Sequence, residues 1–302
     1  MSAAETAVTP PGRPARLLQS PLARLIVFFT LLKAFQWIEG ELWTALGLPG
    51  GFIPFRDTTL LMEALRLGPI VLAYWLLVMW VERRRADELA PAKAAPHLLL
   101  GLAGGALCFS VIVAVLWALG AFVVDGVNHD VAWLGPILVM GVGAGIGEEI
   151  ISRGVIFRIV EEGLGTWAAL LISAAVFGGL HIWNPNATPW SVLAIALEAG
   201  LLFGLLYHLT RSLWVCMGAH AAWNIAQGPL YGIPVSGFEQ RGLLASRLQG
   251  PNWLTGGAFG AEASIVALCI CSIATAVCLA VAVRRGSLVP PPWRRADSTQ
   301  RG

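Results

Sequence analysis

Three sets of polar side chains lie in stretches that are otherwise almost pure hydrocarbon. They are Glu148, Glu149 and Arg153; His181, four residues after Phe177; and His220, four residues before Asn224. A charge at the centre of a bilayer costs at least ~2.5–3.5 kcal/mol, so ionisable groups there face a partner or a water cavity. Glu149 and Arg153 stand at i,i+4 with the acid N-terminal, the favourable order for an ion pair on one helix face. Glu148 points about 100° away and has no local cation. A carboxylate clamped by arginine stays ionised and structural, whereas one lacking such a partner in a dry site suits general-base work. Spacing therefore divides the labour: Glu149 and Arg153 brace, and Glu148 reacts.

The other two sets extend this chemistry. His220 and Asn224 share a helix face, and an imidazole and a carboxamide aimed at one point can donate to a developing oxyanion. Phe177 shares a face with His181, so its ring packs beside the imidazole. With Glu148 and His181 gripping a water, the set is one for peptide hydrolysis. Gly141, Gly143, Gly145 and Gly147 alternate just ahead of the glutamates. They form two small-xxx-small pairs (141/145 and 143/147) that let membrane helices approach closely. Glu198, Glu262 and His208 receive no role, His208 being expected at the interface beside Arg211.

The elements that carry these residues follow from composition. Hydrophobic residues make up 57% of the 302, charged residues 13%, and mean hydropathy is +0.71. A soluble domain carries about 25% charged residues, so this chain cannot cover itself with a polar surface and reads as an integral membrane protein. A net charge of +2 gives no reason to expect a nucleic-acid partner. Spans of ~20 apolar residues are expected at about 22–47, 60–82, 97–124, 132–150, 166–183, 189–209, 212–230 and 262–283. The fold class is thus all-α and polytopic, with about eight transmembrane helices and a chamber among them. In the second span Glu63 and Arg66 can pair on one face. The five cysteines all fall in apolar runs and suggest no disulfide framework.

The organisation is a cytoplasmic polar tail over 1–21 without a signal-peptide pattern, one multi-pass domain over 22–285, and a basic disordered tail over 286–302. The reactive core lies at about 135–230, and the loop 231–261 is the one sizeable feature outside the membrane. Lys and Arg set the orientation. Arg83, Arg84, Arg85, Lys93, Arg153, Arg158, Arg211, Arg284 and Arg285 fall on one side with the termini, against Arg56, Arg241 and Arg247 on the other. Both termini are expected in the cytoplasm, and the style of the sequence suggests a bacterial inner membrane.

Taken together, Glu148-Glu149-x-x-x-Arg153, Phe177-x-x-x-His181 and His220-x-x-x-Asn224, in that order on separate helices, resemble the three motifs of the CPBP family. That family contains type II CAAX prenyl endopeptidases and bacteriocin-processing or immunity proteins. The likeness covers about residues 135–230, and the stretch from Leu254 to Glu262 resembles a bacterial branch. The resemblance implies an all-helical membrane fold with Glu148 and His181 activating water, His220 and Asn224 as the oxyanion hole, and Glu149, Arg153 and Phe177 in support. It implies a protein or peptide substrate at the bilayer, with lipidation as one form.

Competing readings stay open at this level. One is a proton-coupled transporter with Glu148, Glu198 and the histidines as a relay; another is a non-catalytic scaffold or a bacteriocin-immunity protein. His-Glu-x-x-His and Gly-x-Ser-x-Gly signatures are both missing from the sequence. No cofactor is certain, but Glu148, His181 and His220 match a catalytic zinc set in type, so a divalent metal stays open beside metal-free water activation. One geometric tension remains. On these span limits Glu148 lies toward the cytoplasmic end of its helix and His181 toward the outer end of the next.

Overall fold

In the computed structural model residues 17–50 and 53–295 are described; residues 1–16, most of the expected N-terminal tail, lie outside them, as do 51–52 and 296–302. Seven helices among the described residues are long and apolar enough to cross a membrane. They are α1 (Pro21–Ala45), α2 (Leu60–Glu82), α3 (Pro91–Ala118), α4 (Leu134–Leu164), α5 (Thr166–Trp183), α6 (Pro189–Thr210) and α8 (Ile265–Arg284). The remaining expected span is also helical: α7 runs as an α-helix over Leu213–Ile225 and as a π-helix over Ala226–Leu230. It is less apolar than the rest because it carries His220, Asn224 and Gln227. These three are buried, together with most of the helix. Its neighbours shield it from lipid. The chain is thus a polytopic all-α membrane protein.

Local chemistry explains many of the helix ends. Ser20 caps α1 ahead of Pro21, and Thr188 caps α6 ahead of Pro189 in a reciprocal box with Ser191. A single residue, Gly165, joins α4 to α5 at φ +86°, a backbone conformation that other residues adopt only with strain. Lipid-facing tryptophans lie at both ends of the bundle, with Trp80, Trp167 and Trp293 at one and Trp117, Trp183 and Trp253 at the other, as interfacial anchors do.

Three span limits differ from expectation. The third helix begins at Pro91 and ends at Ala118, and residues 122–127 form a strand, β1 (Phe122–Val127). It pairs antiparallel with β2 (Leu244–Leu248) from the loop 231–261. More consequential is α4, which continues through Arg153 and Arg158 to Leu164 and is 31 residues long. Neither arginine lies in a loop; burial within the bundle lets the helix absorb them. The depth tension disappears with this correction. Glu148 lies sixteen residues before Leu164 and His181 fifteen residues after Thr166, each roughly 22–24 Å along its helix at ~1.5 Å per residue.

The end of the bundle beside Gly165 is closed. Phe28, Tyr74, Ile150, Val155, Phe157, Ile159, Leu213 and Met217 belong to one packed core there. Beyond it, Arg24 and Arg158 meet Glu82 at 3.1 and 2.8 Å, and Arg84 grips Glu88 through two nitrogens at 2.6 and 2.9 Å. Burial disfavours charge at Glu88, yet the Arg84 and Tyr74 hydrogen bonds outweigh it and hold this carboxyl below its usual range. His208, expected at the interface, is buried between Glu161 at 2.7 Å and Ser287 at 3.0 Å. Part of the segment expected as a disordered tail is held in the same region: Val289 exchanges two hydrogen bonds with Thr166, at 2.9 and 2.8 Å.

Helix α7 reaches its central position through glycine. A Cβ at Gly101 would overlap Val215 O, and one at Gly105 would overlap Ala219 O, so α3 and α7 touch backbone to backbone. Gly104, on the same helix, has open space beside it. Gly105→Val should therefore lower stability by about 1–3 kcal/mol through overpacking, and Gly104→Val should be near neutral, compared by thermal unfolding in detergent.

Candidate active site

The glycine alternation before Glu148 sorts α4 between two neighbours. Gly141 and Gly145 face α7, where an added Cβ would lie 2.7 Å from Ile225 Cδ1 and 3.0 Å from Met217 O. Gly143 and Gly147 face α2, beside Glu63 and Ile70. Residues two apart point to nearly opposite sides of a helix, so one pair admits the helix of His220 and Asn224 and the other admits Glu63. Within α4, π-helical segments over Ile137–Gly143 and Ile150–Phe157 flank the short α-helical stretch Ala144–Glu149. Such insertions recur at functional sites.

Arg153 and Glu149 are both fully buried and joined at 2.8 Å, as the spacing predicts. The guanidinium also donates to Ala199 O at 2.7 Å and Gly200 O at 3.2 Å, carbonyls of a π-helical segment of α6. Its carbon lies 4.7 Å from the Phe177 ring centroid and 5.4 Å from that of Phe203, within cation–π range. Glu149 Oε1 also meets His220 Nδ1 at 2.9 Å, so the brace extends to an imidazole on a third helix.

Both histidines consequently present the same nitrogen to the same oxygen. His181 Nδ1 donates to Phe177 O at 2.8 Å, and His220 Nδ1 donates to Glu149; a carbonyl and an ionised carboxylate can only accept. The free Nε2 atoms lie 4.0 Å (His181) and 3.9 Å (His220) from Glu148 Oε2. That oxygen is buried and has no hydrogen-bond partner. Asn224 donates one amide hydrogen to Met140 O at 3.0 Å, which fixes its rotamer and leaves a second hydrogen available. The Phe177 ring packs 5.1 Å from the His181 ring and 6.0 Å from the His220 ring.

Glu148, His181, His220 and Asn224 line one cavity of about 460 Å³, together with Glu63, Arg66 and a largely apolar wall. Glu63 and Arg66 approach to 3.8 Å, the pairing expected from their spacing. A separate cleft of about 160 Å³ leads from Glu148 and His181 between α4 and α5 to Leu180, which is half exposed on the lipid-facing surface.

Sequence reasoning missed three residues here. Phe203 lies 5.7 Å from His220 and beneath Arg153; one more phenylalanine in an apolar span carries no signal. Glu198 and Glu262 line a small pocket behind the histidines with Phe177, Phe203 and Asn224. Glu198 is buried with Oε1 unbonded, and Glu262 accepts from Ser236 N. Their cost in a membrane protein was the available signal.

Glu148, His181 and His220 do not fit a zinc ion as they are arranged. Bonds of ~2.0–2.1 Å in a tetrahedron put neighbouring ligand atoms about 3.3 Å apart, closer than the 3.9–4.0 Å observed. Among the described residues no group of three or more His, Cys, Asp or Glu is placed to hold a metal.

Fold and site thus define a polytopic membrane protein with an ionisable chamber enclosed by its helices. Residues 130–226, the stretch that carries all three motifs, match the family Type II CAAX prenyl endopeptidase Rce1-like. The match agrees with the motif resemblance and supports a CAAX-type intramembrane protease in general. No curated protein and no solved structure matches the chain.

Because Arg153 keeps Glu149 company in a dry site, Arg153→Met should cost about 3–5 kcal/mol by stranding a buried carboxylate. The double variant Glu149→Gln/Arg153→Met should unfold at a higher temperature than the single variant.

Proposed function

We propose that the protein is a membrane-embedded endopeptidase that hydrolyses a peptide bond of a membrane-associated protein or peptide. Glu148 and His181 activate the water, and His220 and Asn224 hold the oxyanion. The observation that carries this reading is the shared gap of 3.9–4.0 Å between Glu148 Oε2 and the two Nε2 atoms. Such atoms are too far apart for a direct hydrogen bond, and one water at ~2.8 Å from each bridges them. His181 Nε2 is an acceptor in its neutral form, so the water can be held by His181 while it gives a proton to Glu148.

The resulting hydroxide attacks the scissile carbonyl carbon, and the electron pair of the C=O bond moves onto oxygen. Two donors serve that charge: the second amide hydrogen of Asn224 and the Nε2–H of a protonated His220, whose cation is balanced by Glu149. Collapse of the tetrahedral species breaks the C–N bond, and the leaving nitrogen takes the proton from Glu148. Phe177 and Arg153 do not touch the substrate in this scheme. They hold the imidazole planes and keep Glu149 ionised.

The Lys/Arg bias supports cytoplasmic termini, and the composition suits a bacterial inner membrane. The cleft that reaches lipid at Leu180 suits a substrate held in the bilayer by a lipid anchor or an apolar segment.

The test is cleavage of a set of fluorescence-quenched peptides by purified full-length protein in proteoliposomes. Glu148→Gln should abolish hydrolysis with the unfolding temperature unchanged, since Oε2 makes no hydrogen bond to lose. Asn224→Ala should lower kcat by about 10²–10³-fold, the usual loss of one oxyanion donor. A zinc chelator should leave the wild-type rate unaltered. Wild-type turnover by a folded Glu148→Gln protein would end the proposal.

A further inference from the structure

The side of the membrane on which the chamber opens can be read from the fold. Its mouth is built by Ile53 and Phe55 from the α1–α2 connection, Asn184 from the α5–α6 connection, and Val235, Ser236 and Phe238 from the α7–α8 connection. Eight alternating helices put these connections, with the β1–β2 pair, on one side. The 83–90, 165 and 211–212 connections, the start of α1 and the end of α8 fall on the other. Hydrogen bonds from Asn184 to Ser236 O at 3.1 Å and from Asn186 to Gly237 O at 3.2 Å tie the mouth segments together. No chamber-lining residue comes from the opposite connections, and that end is closed by the packed core and the buried ion pairs described above.

Charge separates the same two sides. The closed side carries Arg83, Arg84, Arg85, Lys93, Arg158, Arg211, Arg284, Arg285 and Arg294. Correcting α4 takes Arg153 out of this count and leaves the bias intact. The mouth side carries Arg56, Arg241 and Arg247 against Asp57, Asp125, Asp130 and Glu239, with Arg56 at 3.7 Å from Asp57 and Arg247 paired to Asp125. Basic short connections are retained in the cytoplasm, so the closed side is the cytoplasmic one.

A groove of about 510 Å³, with Arg56, Asp130, Asn186, Glu239 and Arg241 set in a largely apolar wall, lies outside the mouth. Phe55 and Phe238 line both groove and chamber, their rings in edge contact at 5.6 Å. A polypeptide threading from the groove past this pair reaches Glu148.

We propose that the chamber opens to the non-cytoplasmic side, and that its substrate is an exported, membrane-anchored polypeptide cut at the outer end of its anchor. A protein lipidated in the cytoplasm would meet only the sealed, basic face. The substrate half of this inference rests on the endopeptidase reading; the sidedness does not.

The test uses the full chain in right-side-out and inside-out membrane vesicles. Single variants Ala144→Cys in the chamber, Glu239→Cys at the groove and Arg85→Cys on the basic face are exposed to a membrane-impermeant sulfonated maleimide. The wild-type protein, with its native cysteines along the helices, is the blank. Ala144→Cys and Glu239→Cys should label in right-side-out vesicles alone, and Arg85→Cys in inside-out vesicles alone. The reverse pattern overturns the sidedness, whatever the activity. Quenched peptide in the bath should be cut by wild-type right-side-out vesicles and not by inside-out ones. Cutting by the inside-out vesicles overturns the substrate assignment. Absence of cutting on both sides, with the labelling as expected, overturns the endopeptidase reading and leaves the sidedness standing.

Discussion

Arg153 and Glu149 touch no solvent, and a charge pair in that setting persists only if every neighbour is arranged for it. The arrangement recruits four helices: α4 supplies both ions, α6 supplies two backbone carbonyls and Phe203, α5 supplies Phe177, and α7 supplies His220. Each contact also constrains something else. The π-helical segment of α6 frees the carbonyls that the guanidinium needs. The Phe177 ring, lying against the guanidinium, packs against both imidazoles. Glu149, through its contact with Nδ1, fixes the plane of the His220 ring and turns Nε2 toward Glu148. The orientation of the reactive groups is therefore a consequence of neutralising one buried cation.

Backbone contact supplies the second constraint. An eight-helix membrane bundle gains little from hydrophobic association, because lipid is as apolar as leucine. Small residues replace that driving force with close packing. Gly101 and Gly105 bring α3 against α7, and Gly141 and Gly145 bring α4 against the opposite side of α7. The least apolar helix is thus gripped from both sides at the level where its polar residues sit. Gly200 against Ala174 does the same for α5 and α6.

The bundle is chemically polar along its axis as well. Its closed end is cross-braced by Arg24, Glu82, Arg84, Glu88, Arg158 and Glu162, and by Glu161 with His208 and Arg211. Its other end is a set of loops tied by the β1–β2 pairing and by side chain-to-backbone hydrogen bonds around an open cavity. With one end sealed, the openings to Glu148 are the chamber at the other end and the cleft between α4 and α5.

Helical periodicity is a local property, and it made much of the site legible in the residues alone. The i,i+4 spacing dictated the Glu149–Arg153 pair and set Glu148 apart from it, and three motifs in order pointed to the family. Hydropathy located seven of the eight spans nearly to the residue at one end or both. The end of α4 was illegible because Arg153 and Arg158 look like loop residues until their partners are known, and those partners are up to 76 positions away in sequence. The shared Nε2 presentation, the place of Phe203, and the pocket holding Glu198 and Glu262 were equally hidden. Each depends on side chains from different helices meeting at one depth. Spacing along one helix decided which groups could react. Packing between helices decided that they meet, which atoms face one another, and at which end of the bundle the chamber opens.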